Sequence, residues 1–285
     1  MTAIYPDFYD RFACKAGDCR HSCCRGWEID VDGESAAYYR ALPGTLGDDL
    51  RAALVETEDG CHFRLTDDER CPFLRPDGLC RLIRELGEEA LCDICALHPR
   101  FYAEVGDAEL CGLGLSCEKV CELLLSSSAP LRFVAEDGES MDFAALLCCL
   151  GLKAGVTPLR FVPVPSEARY AEILRRLAAT EPIDKAWPEQ IRALEACLSD
   201  LVENAAEYAA VCDRARYDRI YQYILFRQLE RAGEDGLSAL AAYAGLSTEF
   251  VFMQDALLGA DPEHLRRWSE QIEYSTENVD RLLEN

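Results

Sequence analysis

The chain has 285 residues, 49% apolar and 28% charged, which excludes a disordered chain and leaves room for one large domain or two small ones. Its net charge of −23 excludes nucleic-acid binding through the general surface field and leaves a cationic partner open. No apolar run approaches the roughly 18–20 residues of a membrane span, so no membrane role is expected.

The N-terminal stretch Met1–Asp10 has neither a basic nor an apolar leader region, and a cytoplasmic location is expected from it. Short helices are expected at Glu34–Ala41, after the Asp32-Gly33 turn, and at Leu46–Glu56. His62–Leu65 reads as a short strand. Leu79–Leu86 and Glu88–Leu97 read as helices, Phe101–Leu115 as weakly strand-forming, and Cys117–Leu125 as a helix. Ser126–Pro130 and Glu136-Asp137-Gly138 break the chain. Asp142–Leu152 is apolar enough for a buried helix. Pro158, Pro163 and Pro165 mark an extended connection, and Ser166 is a natural N-cap for a helix to Thr180. Helices are then expected from Pro188 past Leu201, over Arg214–Arg231, Ser238–Tyr243 and Ser247–Leu258, and after Asp261-Pro262. The expected fold is mainly α. An irregular, cysteine-rich, metal-binding N-terminal module with little β (1–125) packs on an α-helical C-terminal module (126–285).

Sixteen cysteines set the chain apart, and 12 of them lie in residues 1–121. In a reducing compartment, clustered cysteines bind metal more often than they form disulfides. The clusters are Cys14-x4-Cys19-x3-Cys23-Cys24, then Cys71-Pro72, Cys80, Cys92-x2-Cys95-x2-His98-Pro99-Arg100, and Cys117. Metal sites need several soft, deprotonated donors converging on one point, and loop cysteines supply them. These nine cysteines are the expected ligands. Zinc usually comes with two Cys-x2-Cys knuckles, and only Cys92/Cys95 has that spacing. An iron–sulfur cluster such as [4Fe–4S] tolerates looser spacing and is preferred, with zinc as the alternative. Cys148, Cys149, Cys197 and Cys212 read as buried, inert thiols on apolar helical faces, and Cys61, Cys111 and Cys121 less strongly so.

His98 is a candidate to ligate metal or line the site. Arg100 is placed to hold a carboxylate, of a small-molecule cofactor or of a structural partner. Trp27 is expected to pack over the cysteine cluster, with a substrate platform as its other role. His62 and His264 read as surface residues. Only four of the 29 basic residues are lysine, which composition bias explains and which suits an enzyme that acts on lysine.

Several of these motifs together resemble the flagellin lysine-N-methylase family. They are Tyr9-x2-Phe12-x-Cys14, the Cys19/Cys23/Cys24 cluster with Gly26-Trp27, Arg70-Cys71-Pro72-Phe73-Leu74, Glu85-Leu86-Gly87-Glu88, Leu91-Cys92-x2-Cys95-x2-His98-Pro99-Arg100 and Leu115-Ser116-Cys117. The C-terminal run Ile272–Asn278 resembles a segment near the end of those proteins. The resemblance is dense over about residues 5–120 and thin over 130–285 apart from the last helix. It implies a protein-lysine N-methyltransferase that moves a methyl group from S-adenosyl-L-methionine to lysine Nε of flagellin. It also implies an iron–sulfur cluster in a cysteine-cluster group credited with chelating zinc or iron. The usual radical motif Cys-x3-Cys-x2-Cys is absent, so a radical route would need another cysteine arrangement. Two other classes compete: a non-catalytic metal-binding or metal-delivery protein of the same group, and a structural zinc module that docks a partner.

Overall fold

The structure is a computed structural model that describes every residue except 59, 154, 156, 157 and 285. The chain forms two compact units. The smaller is Ala13–Arg100, and the larger joins Met1–Phe12 to Phe101–Asn285. The smaller unit is therefore inserted into the larger one after its first strand. The division expected at 125/126 differs from this, because residues 101–125 belong to the larger unit.

Strand β1 (Thr2–Pro6) opens the larger unit. In the smaller unit, β2 (Ile29–Asp30) leads to α1 (Gly33–Ala41), whose Asp32 cap accepts the Ser35 N–H at 2.8 Å. Helix α2 (Gly44–Ala53) buries Leu46, Leu50 and Ala53 on one face. It stops short of the expected Glu56. The run Leu54–Thr57 instead forms β3, which pairs with β4 (Gly60–Phe63), and β4 pairs with β2. Two short helices follow, α3 (Arg81–Leu86) and α4 (Asp93–Leu97). The single helix expected over Glu88–Leu97 is split, since Cys92 is extended and caps α4.

The chain re-enters the larger unit through β5 (Arg100–Val105) and β6 (Ala108–Leu113), the strands expected over 101–115. Helix α5 (Glu118–Leu125) is followed by β7 (Phe133–Ala135) and β8 (Ser140–Met141), with the expected turn between them. The sheet order is β5-β6-β1-β7-β8, with β1 parallel to β6 and antiparallel to β7. Helices α6 (Phe143–Cys149), α7 (Glu167–Ala178), α8 (Ala186–Ala196), α9 (Leu198–Val211), α10 (Arg214–Arg227), α11 (Leu237–Leu258), α12 (Pro262–Ile272) and α13 (Thr276–Leu283) complete it. Ser166 caps α7 and Asp261 caps α12, as the sequence predicts. Helix α11 runs unbroken through Gly245, where two helices were expected. It buries Phe250, Val251, Phe252 and Met253 in succession, the mark of a helix enclosed on all sides.

Two features overturn the expected fold class. First, the β content is not small: a mixed five-stranded sheet and an antiparallel three-stranded one organise the two units. Second, no irregular metal module is evident among the described residues. The smaller unit has its own apolar core, in which Tyr39 stacks on Phe63 (5.8 Å) and Phe63 meets Phe73 edge-on (5.0 Å). Leu50, Leu82, Ile29 and Val31 pack around these rings. The Tyr39 hydroxyl donates to the Ala90 carbonyl at 2.6 Å. Burial of these side chains contributes folding energy to the smaller unit.

Candidate functional site

Five cysteine side chains of the smaller unit interact with one another: Cys24, Cys71, Cys80, Cys92 and Cys95. Local backbone pairing brings them together. The Cys71 N–H donates to the Cys24 carbonyl at 2.9 Å, beside a bridge between Arg25 and Arg70. A second bridge joins Leu74 to Cys80, closing the loop that starts at Cys71-Pro72. Cys80 and Cys92 then stand at the N-terminal ends of α3 and α4.

The backbone is arranged around the sulfurs. Cys71 receives N–H groups of Phe73 and Leu74, Cys80 those of Ile83 and Leu82, and Cys92 that of Cys95. Such N–H groups favour the thiolate form. Burial opposes them. It pushes Cys71 up to about 12 and raises Cys80. A bond from Cys23 brings Cys24 down to about 7. Within the Cys92/Cys95 pair, the bond between the two thiols lowers Cys92 and raises Cys95. Five crowded thiols cannot all ionise without a cation, and a soft metal group supplies one. Nearby, His98 Nε2 is buried without a hydrogen-bond partner, and burial lowers the His98 pKa. Among the described residues, no three His, Cys, Asp or Glu side chains close around a single ion. A tetrahedral zinc would need sulfurs about 3.8 Å apart around it, from Zn–S bonds of about 2.3 Å. A multi-iron cluster spreads its thiolates more widely, so the donor set fits that group in kind.

Of the nine expected ligands, Cys24, Cys71, Cys80, Cys92 and Cys95 interact as described, and Cys23 joins them through its bond to Cys24. Cys14 is exposed, with its sulfur accepting the Ala16 N–H at 3.3 Å. Cys19 is half-buried after the short turn Ala16–Asp18, and Cys23 is exposed beside Cys24. Cys117 lies in the larger unit, where it caps α5 and interacts with the buried Cys121. The Trp27 indole donates to the Cys23 carbonyl at 2.7 Å, which packs it over the cysteine loop. Arg100 is half-buried at the start of β5. Cys148 and Cys149 are exposed, and Cys197 and Cys212 half-buried, against the expectation that all four are buried. Their helices are short or peripheral and turn those positions outward. Cys111 and Cys121 are buried and Cys61 half-buried.

A cavity of about 880 Å³ is lined by Asp30, Asp32, Arg40, Glu56, Glu58, Cys61 and Asp93, with Val31, Ala36 and Ile94 as apolar wall. Arg40 is engaged by Glu56 at 2.5 Å, which leaves the groove acidic. Asp32 accepts N–H bonds from Ser35 and Asp93, and these hold its carboxyl at about 2. It therefore stays ionised across the working pH range, and the Asp93 bond ties α1 to the first turn of α4. Short helix α4 thus borders both features: Asp93 and Ile94 face the groove while Cys95 faces the core.

The larger unit holds a polar network that the sequence does not announce. Asp255, fully buried on α11, accepts from Tyr217 Oη (2.7 Å), Arg216 Nε (3.1 Å) and His264 Nδ1 (2.7 Å). His264, expected at the surface, is only 14% exposed there. His62 pairs with Glu28 at 2.6 Å and is also largely covered.

No protein-family model matches the chain, and no solved structure matches it. Three curated proteins do. A lysine-N-methylase of Salmonella typhimurium is 29% identical over 132 residues, covering 44% of this chain and 33% of its own length. A lysine-N-methylase of Salmonella choleraesuis is 28% identical over the same coverage. The flagellar biosynthetic protein FliU of Salmonella muenchen is 28% identical over 150 residues, covering 50% of this chain and 86% of its own. The match thus spans only about a third of the two lysine-N-methylases. Over about half its length the chain is thus similar to these three proteins, which agrees with the resemblance carried by the motifs.

Proposed function

We propose that the chain is a protein-lysine N-methyltransferase that modifies flagellin, with S-adenosyl-L-methionine as methyl donor and an iron–sulfur cluster on the thiols of the smaller unit. The relatives support lysine methylation and a flagellar setting. The observation that carries the reading within the structure is the shared helix α4, which borders the acidic groove and presents Cys95 to the thiol group.

A lysine suits this groove at both ends. Its aliphatic stem lies on Val31, Ala36 and Ile94, while its ammonium is drawn by Asp30, Asp32, Glu58 and Asp93. The free amine has a pKa of about 10.4, so at neutral pH it carries a proton and no lone pair. The apolar wall disfavours the charged amine while the carboxylates stabilise it, so a groove carboxylate has to take the proton before transfer. The neutral nitrogen then forms its bond to the methyl carbon as the carbon–sulfur bond of the sulfonium breaks. Cys24, Cys71, Cys80, Cys92 and Cys95 are the residues that would hold the cluster. When bound, it supplies Lewis-acidic iron and a one-electron couple.

The test is transfer of labelled methyl groups from S-adenosyl-L-methionine to purified flagellin by the anaerobically prepared chain. Label on flagellin lysines is the expected result. Bound iron with no transfer would favour a non-catalytic metal-binding protein instead.

A further inference from the structure

The proline-punctuated connection 158–165 is neither helix nor strand. Four side chains hold it, and each bonds its backbone. Tyr221 Oη donates to the Pro158 carbonyl at 2.8 Å, and Gln222 Nε2 to that of Leu159 at 2.9 Å. Asp218 Oδ1 accepts the Phe161 N–H at 2.9 Å. Glu249 accepts the Val164 N–H at 3.1 Å to one carboxylate oxygen and 3.3 Å to the other. Asp218, Tyr221 and Gln222 fall at i, i+3 and i+4 on α10, one helix face, and Glu249 comes from α11.

One side chain anchors the segment. The Phe161 ring is 9% exposed and lies 6.0 Å from Tyr217 and 5.9 Å from Phe252. Its neighbours turn outward, with Val162 65% and Val164 54% exposed. Bonds to a peptide backbone do not read side chains, whereas a single aromatic pocket does. That is how grooves recognise extended peptides, and prolines lower the entropy cost of holding one extended.

We propose that the α10–α11 groove is a binding site for an extended peptide carrying an aromatic residue two positions before a proline, and that the strap 158–165 is its resident, displaceable occupant. The strap supplies the template, Phe161-Val162-Pro163. The inference is independent of the methylation reading.

Proton linkage gives the strap a signature. Burial raises the Glu249 carboxyl to about 7, while the Val164 N–H, Arg169 and the Tyr170 hydroxyl of α7 pull it back. Asp218 is also raised by burial, against the pull of the Phe161 N–H, Arg160 and Arg214. A lifted strap returns Glu249 to the ordinary glutamate value of about 4.3. The closed form then binds protons more tightly than the open form. Opening therefore grows as pH rises from about 4.3 to about 7 and levels off above.

Amide hydrogen exchange on the full chain, corrected for intrinsic rates, reads this directly. The Phe161 and Val164 amides should show protection at least about tenfold below the core amides of α10 and α11, the mark of local opening. That protection should fall a further ~10–100-fold between pH 5 and pH 8, and Glu249→Gln should flatten the fall. A fluorescent peptide of the strap sequence Leu-Arg-Phe-Val-Pro-Val-Pro should bind Phe161→Ala at least about tenfold more tightly than the unsubstituted chain, because the competing strap has lost its anchor. The same peptide with alanine for its phenylalanine should not bind. If Phe161→Ala does not fold, Val164→Pro carries the peptide test, since it removes the N–H bonded to Glu249 and leaves the core ring in place. Strap amides that exchange only with global unfolding would overturn the proposal. So would a folded variant that fails to bind the peptide.

Discussion

If the proposed function holds, serine in place of Cys71 or Cys95 should reduce methyl transfer to flagellin by about 100-fold or more and remove the bound metal. Cys71 is 7% exposed, its sulfur faces the Phe73 and Leu74 N–H groups, and it interacts with Cys24 and Cys80. A serine hydroxyl keeps the volume and loses the soft, ionisable donor. Cys71 packs in the same core as Tyr39, Phe63 and Phe73, so thermal unfolding of each variant is compared with the parent to separate lost metal from lost folding. Cys148→Ser is the matched control. That thiol is exposed on α6 in the larger unit, and its loss leaves both activity and metal content unchanged. Metal content by emission spectroscopy and label counted on flagellin give the two readouts.

Replacing Arg227 by Met lowers the stability of the chain by about 3–5 kcal/mol, since it leaves a buried carboxylate without its partner. The Arg227 Nε meets Glu273 at 2.8 Å, where Glu273 is 1% exposed. The guanidinium also lies 4.6 Å over the Phe101 ring and reaches the Leu113 carbonyl. Burial depresses its pKa, and Glu273 with Tyr223 and Tyr274 more than restores it, so the charge is kept. In thermal unfolding the variant should melt roughly 10 °C lower. Adding Glu273→Gln should recover part of the loss, because the orphaned charge is then gone. Equal stability of the Arg227→Met variant and the parent would mean that the pair contributes nothing.

This ion pair explains why the C-terminal run Ile272–Asn278 stands out in the sequence. Glu273 holds Arg227, the Tyr274 hydroxyl meets Ser116 Oγ at 2.7 Å, and Ser275 caps α13. Two of the motifs that carried the family resemblance, Leu115-Ser116-Cys117 and Ile272–Asn278, are thus neighbours, 158 residues apart in the chain between Ser116 and Tyr274. The sequence makes the motifs visible and hides their meeting.

What was legible follows from locality. Ser166 announces α7, and Asp261-Pro262 announces α12, because a cap and a first-turn proline act within a few residues. Strand β1 was not legible. Thr2–Pro6 becomes a central strand only through pairing with residues 108–110 and 133–135, partners more than 100 positions away. The same holds for the cysteines. Their density signals soft donors, but the approach of Cys24, Cys71 and Cys80 to one another depends on the Arg25–Arg70 and Leu74–Cys80 bridges, which no spacing rule contains. Cysteine density points to a metal-nucleated module, whereas the rings of Tyr39, Phe63 and Phe73, dispersed in sequence, pack together in space as the core of the unit. Glu249 and Asp255 are single polar residues in an apolar helix, and the sequence gives no sign of their role. Their buried partners give them weight.

The most direct measurement is iron and acid-labile sulfide content of the anaerobically purified full chain, with its visible spectrum. The account predicts about four irons and four sulfides per chain and a brown chromophore, both lost in Cys71→Ser. A colourless protein with stoichiometric zinc, or with no metal at all, would contradict it.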